Sequence, residues 1–176
     1  MGRRAAQADP KDPDVRSFLA GTLLTFYGDK PESVGDALNQ LEECLRLRPE
    51  DPVPLGGFAN EFFKSPKPVA AVERLRALLR SHTNIPGADF FLGQAADAMG
   101  ETEEAVAHYQ AALRASPNNS AVYVKLGLIS DRAGRPGEAT TLFQKAIQLN
   151  PANTDARLNL AIELMQRRNY AQGLRE

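Results

Sequence analysis

The side chains that stand out as able to carry chemistry are the two histidines, His82 and His108, the single cysteine, Cys44, and, among 22 acidic residues, the clustered carboxylates Glu42, Glu43, Glu101, Glu103 and Glu104. Histidine titrates near neutral pH and serves as a proton shuttle or metal ligand. Neither histidine has a cysteine or a second histidine at ligand spacing, so both read as structural residues of helices. A lone thiol excludes an intramolecular disulfide and a zinc site built from cysteines alone. Gly56-Gly57 resembles the start of a phosphate loop, but such a loop needs a preceding strand and a closing Lys-Ser/Thr to hold the phosphates. Both are missing, and the glycines read instead as a notch in the inner face of a helix. Each such glycine costs about 1 kcal/mol of helix stability. The carboxylates sit near helix starts or on solvated faces, where the helix dipole and hydration account for them. Asn118-Asn119-Ser120 fits a glycosylation sequon and reads as a turn. No set of nucleophile, base and orienting group can be assembled. This segment is therefore expected to be no enzyme and to use neither metal nor cofactor.

At 176 residues, 43% apolar and 24% charged, the chain is long enough to bury a core. Its formal charge of −1 argues against a nucleic-acid partner, because no positive excess exists to meet the phosphates. No run of about 18 apolar residues is present, so no membrane span is expected. Met1, Gly2, Arg3 and Arg4 are followed by no apolar segment, and Ala6 breaks the myristoylation pattern. A cytoplasmic, reducing compartment is the default expectation.

The elements that position these residues are set by prolines. The 12 prolines fall in clusters and at intervals, at 10 and 13, 31, 49 to 54, 66 and 68, 86, 117, 136 and 151. Proline removes an amide donor and clashes with the preceding turn, so helices lie between prolines or start on them. The intervals read as helices of about 12–16 residues with apolar stripes at i, i+3, i+4 and i+7. Strand signals are nearly absent, and the expected fold class is all-α.

A 34-residue period organises the helices. Leu92-Gly93 recurs as Leu126-Gly127 and Leu160-Ala161; Ser116-Pro117-Asn118-Asn119 recurs as Asn150-Pro151-Ala152-Asn153. The units run 52–85, 86–119 and 120–153, with a truncated unit at 154–176, a longer unit at 13–51 with an insertion near Gly28, and a tail or repeat end at 1–12. Position 7 of successive units is Leu19, Phe58, Leu92, Leu126 and Leu160. Position 8 is Ala20, Ala59, Gly93, Gly127 and Ala161, and position 20 is Ala37, Ala71, Ala105, Ala139 and Gly173. Small residues in every slot mark a close helix crossing, where a larger side chain costs about 1–3 kcal/mol by overpacking. Leu41, Leu75, Tyr109 and Phe143 at position 24 fill the space beside that crossing.

This pattern, with Gly near position 15 and Pro at 32, resembles the tetratricopeptide repeat (TPR). The resemblance covers essentially the whole chain and is strongest over 86–153. It departs at position 4, where the usual aromatic survives only as Tyr123, at Leu78 in place of a small residue, and at Thr83 in place of proline. The resemblance implies a right-handed superhelical solenoid of antiparallel helix pairs whose first helices line a groove. It further implies a scaffold that binds a peptide or a helix of a protein partner. The groove residues it implies are Asn60, Phe63, Lys64, Phe90, Phe91, Gln94, Asp97, Lys125, Leu128, Asp131, Arg132, Asn159 and Ile162. The phenylalanines, Leu128 and Ile162 offer apolar anchors, the amides meet a partner backbone, and the charges meet opposite charges. About half of the apolar members are expected to pack on the next helix instead.

Chaperone-tail clamps of this family need Lys and Asn at positions 5 and 9; Phe90 with Gln94, or Val124 with Leu128, stand there, so that clamp is absent. An asparagine ladder at position 6 is reduced to Asn159. Residues 169–176 resemble the stretch that closes the repeat region of some bacterial TPR proteins carrying a glycosyltransferase-like domain, with Leu174 where Trp is usual. Two alternatives to a plain scaffold follow: a substrate-recruiting arm of such an enzyme, or a self-assembling scaffold that associates through exposed terminal helices. In the truncated unit a second helix is expected to start near Tyr170, and the chain reads as a segment of a longer array.

Overall fold

The computed structural model describes residues 12–28, 30–49, 53–64, 66–82 and 87–173, with the backbone alone at residue 53 and residues 167–173. The expectations for residues 1–11, for Thr83 and for residues 174–176 lie outside the described residues. Every regular element among the described residues is an α-helix. Two compact units, Met1–His108 and Tyr109–Glu176, divide the chain inside one helix.

In the first unit, α1 (Pro13–Tyr27) and α2 (Pro31–Leu47) both begin on proline, where a missing amide donor costs nothing. Asp12 caps α1 by accepting from the Asp14 N–H at 2.8 Å. The two helices run antiparallel. Arg48, just past the end of α2, donates to the Asp14 carboxylate at 2.7 and 3.0 Å, and Arg16 donates to Gln40 at 2.8 Å. Ala20 and Ala37, the small residues at positions 8 and 20, are buried beside Leu41. Cys44 occupies the next small position, buried as expected, with its thiol donating to the Pro13 carbonyl at 3.3 Å.

The core continues through α3 (Val53–Phe62), α4 (Val69–Ser81) and α5 (Ala88–Ala98). Leu55, Phe58, Ala59 and Phe62 of α3 join Val72, Leu75 and Leu79 of α4 in one apolar cluster. Pro66 and Pro68 separate α3 from α4, as the proline spacing predicts. The helix α6 (Thr102–Ala115) follows α5 through a turn at Gly100, whose φ of 77° is the left-handed value glycine supplies without strain. There the Glu101 N–H donates to the Ala96 carbonyl at 2.9 Å, closing the helix end.

In the second unit, α7 (Ser120–Arg132), α8 (Pro136–Leu149) and α9 (Thr154–Gly173) pack around Val124, Ala139, Phe143, Ala146 and Ala156. The turn between α7 and α8 repeats the same chemistry: Gly134 has φ 69°, and the Arg135 N–H reaches the Ser130 carbonyl at 2.9 Å. Asn119 caps α7 by accepting from the Ala121 N–H at 3.1 Å, so the stretch read as a turn also supplies the helix cap. A Cβ added to Gly127 would lie 2.5 Å from the Phe143 ring, which is the close crossing the small-residue pattern predicts.

One expectation is corrected. No second helix starts near Tyr170; α9 continues unbroken from Thr154 to Gly173. Arg168 occupies the position held by Gly100 and Gly134 two repeats and one repeat earlier. A left-handed turn disfavours a side chain by about 1–2 kcal/mol, so without glycine the helix has no stop signal and runs on. The Tyr170 and Gly173 of the glycosyltransferase-type resemblance therefore lie in a continuation of α9 rather than in a separate helix.

Candidate partner-binding faces

The residues implied for the groove divide between the two units. In the first, α3 and the segment after it present Asn60 and Lys64 exposed, with Lys64 paired to Glu61 at 2.5 Å. Phe63 is half-buried against the core and meets Phe62 edge-on at 5.2 Å between ring centroids. On α5, Phe91 also packs partly into the core, and Phe90 lies tilted against it at 5.6 Å. Gln94 is buried and Asp97 half-buried. The implied anchors of this unit are thus in part core residues.

Space opens instead at the glycines. A pocket of about 310 Å³ is lined by Asp14, Ser17, Ala20 and Gly21 of α1, Leu41 of α2, and Pro54, Gly57 and Phe58 of α3. A Cβ at Gly21 or Gly57 would meet nothing within 4 Å, whereas one at Gly56 would just touch Phe91. Gly57 thus forms the notch read from the sequence, with Gly21 as a second wall that was not foreseen. The pocket has an apolar floor of Leu41 and Phe58 and a polar rim of Ser17 and Asp14, the latter held by Arg48.

In the second unit, Asp131 and Arg132 of α7 are exposed, and Lys125 is half-buried. Leu128 packs partly against the core. On α9, the Asn159 amide donates one N–H to the Asp155 carbonyl of its own helix at 2.8 Å, so its second N–H and its side-chain oxygen are the groups that could meet a partner. Ile162 is 39% exposed.

Sequence reasoning missed a charged network within the first unit. Arg76 of α4 is buried, and its guanidinium spans Glu101 at 2.7 Å and Glu104 at 2.5 Å. Arg80 reaches the same Glu104 carboxylate at 2.7 Å. His108 stands between Asp89 at 2.9 Å and Glu104 at 3.5 Å, which makes it a structural histidine as expected. The Arg76 guanidinium holds the Glu104 carboxyl below the usual carboxylate range. Glu101 and Glu104 thus stand at the start of α6, as read, and in addition latch it to α4 through Arg76 and Arg80. The available signal was the i, i+4 spacing of Arg76 and Arg80 opposite carboxylates three apart. Among the described residues, no group of three or more His, Cys, Asp or Glu side chains is arranged to hold a metal ion. No helix among them is long and apolar enough to cross a membrane.

Tetratricopeptide-repeat family models match residues 57–120 and 132–176, together more than half of the chain. The chain belongs to the tetratricopeptide-repeat family. Its all-α fold is similar to that of TTC0263, a thermophilic TPR protein in Thermus thermophilus. That match has 20% identity and a TM-score of 0.71, over 93% of this chain and 87% of that one. MamA 41-end from Desulfovibrio magneticus is similar at 21% identity and TM-score 0.59, over 85% of this chain and 81% of that one. A chain of the APC/C hetero-tetramer Cut9–Hcn1 aligns at 16% identity and TM-score 0.64, over 93% of this chain and 32% of that one. At these identities the likeness is one of fold. No curated protein matches the sequence. The TPR assignment accounts for the glycine turns, the small residues at positions 8 and 20, and the solenoid of antiparallel helix pairs.

Proposed function

We propose that this TPR chain is a protein-interaction scaffold that binds a peptide or helix of a partner on the faces of its first helices. The repeats support a scaffold in general; the choice of these faces rests on one observation. Gly21 and Gly57 lie inside helices, where glycine is costly, yet no neighbouring atom would meet a Cβ at either position. Packing therefore does not explain them. The pocket of about 310 Å³ that they line does, if a partner side chain enters it.

In the first unit the pocket takes one apolar side chain, while Asn60 and Lys64 meet the backbone and carboxylates of the segment. In the second, Lys125 and Arg132 attract carboxylates, and Asp131 orients a cationic neighbour. The test is substitution without unfolding. Lys125→Glu combined with Arg132→Glu weakens capture of the partner about tenfold or more and leaves the melting temperature nearly unchanged. Gly57→Leu, which fills the pocket, has the same effect on binding at the first unit. Equal loss of binding and folding would make these residues structural and reject the proposal.

A further inference from the structure

The glycine pocket has a counterpart one repeat later, and there the chain fills it itself. Allowing for the insertion near Gly28, Ser17 of α1 corresponds to Gly56 of α3, and Gly57 of α3 to Phe91 of α5. The same register relates Ala20 to Ala59 and Leu41 to Leu75. Between α3 and α5 the Phe91 ring lies over Gly56, 4.0 Å from where a Cβ would stand, and packs on the apolar core. Between α1 and α3 the corresponding Gly57 supplies no ring, and a Cβ there meets nothing within 4 Å. The pocket of about 310 Å³ lies in that place. It is walled by α1, α2 and α3, between two adjacent repeats rather than on the outer face of a last one.

We infer that the side chain a partner inserts here is an uncharged aromatic ring, taking the place that Phe91 takes in the next repeat. This rests on the reading of the pocket as a partner-binding site and names the side chain that the site selects. Gly21 and Gly57 leave bare helix backbone as walls, which a planar ring can approach closely. The floor favours a ring as well. Phe58 stands where the next repeat has Leu92, and aromatic pairs attract beyond the area they bury. The rim excludes charge. The Asp14 carboxylate is already held by two guanidinium nitrogens of Arg48, at 2.7 and 3.0 Å, so it offers no uncompensated charge to a cationic head. At about 30 Å³ per water, the 310 Å³ corresponds to roughly ten waters. Leu41 and Phe58 give those waters no hydrogen bonds, so a ring that displaces them gains affinity.

The probes are N-acetyl-phenylalaninamide and N-acetyl-leucinamide, titrated separately into the full chain and followed by amide NMR. The phenylalanine amide is expected to shift the Gly21 and Gly57 resonances saturably, and the leucine amide to bind about threefold or more weakly. Gly57→Phe supplies the ring from the chain itself, as Phe91 does, so it abolishes the response at Gly21 without lowering the melting temperature. Phe91→Ala opens the corresponding hollow over Gly56, and the Gly56 resonance then responds to the phenylalanine amide as well. Equal or tighter binding of the leucine amide overturns the aromatic choice and leaves the pocket a binding site. No saturable shift with either amide overturns the pocket reading together with this inference. Nuclear Overhauser contacts from residues 1–11 to Gly21 and Gly57 would assign the pocket to the chain itself, and overturn the inference. A dimer of the wild type that Gly57→Phe dissociates would assign it to a second copy, with the same consequence.

Discussion

Gly57 and Gly127 are both helical glycines, and a methyl group added to each meets opposite surroundings. At Gly127 the new Cβ lies 2.5 Å from the Phe143 ring, which must move, whereas at Gly57 it meets open space. Gly127→Ala is expected to destabilise the second unit by about 1–3 kcal/mol, overpacking outweighing the gain in helix propensity. Gly57→Ala is expected to stabilise the first unit by up to about 1 kcal/mol. Urea denaturation of the two variants distinguishes the cases, and shifts of the same sign would refute this account of the two glycines. Glu104 carries a second residue-level prediction. Its folded pKa is depressed by Arg76, so the stability it contributes is present above its unfolded pKa of about 4.3 and is lost as pH falls through the lower folded value. Glu104→Gln should flatten the fall in melting temperature of the chain below about pH 4.3. An unaltered acid limb would mean that the Arg76 network adds no stability.

At the level of elements, the turns decide where repeats are built. Gly100 and Gly134 stop α5 and α7 in the left-handed conformation, and Arg168 in their place leaves α9 to run through. Gly134→Ala is expected to cost about 1–2 kcal/mol through strain at positive φ, although alanine is the better helix former. A stability equal to the wild type would show that the turn relaxes without glycine. The small residues at positions 8 and 20 could be read from the sequence because side-chain volume at a helix crossing is itself a sequence property. The extent of α9 could be read less well, since a helix end hangs on a single residue. The network of Arg76, Arg80, Glu101, Glu104 and His108 joins helices of neighbouring repeats, and lateral facing of that kind is not encoded in a one-dimensional period. Among the implied contact residues, exposure at Asn60, Lys64, Asp131 and Arg132 agrees with a surface role. Phe63, Phe91 and Leu128 divide their surface between core and solvent because the same positions serve packing between repeats.

For the molecule as a whole, the chain is a TPR protein whose core is divided between two compact units rather than gathered into one. Repeat arrays draw stability from nearest-neighbour interfaces, so changes on exposed inner positions can alter binding without unfolding the array. The central claim is that these inner positions recognise a protein partner. Its most direct test is quantitative capture of partners from a native extract by the wild-type chain and by the Lys125→Glu, Arg132→Glu variant, with both melting temperatures measured in parallel. The account predicts at least one protein that is captured by the wild type and about tenfold or more weakly by the variant, at equal thermal stability. An identical set of captured proteins from both chains would contradict it.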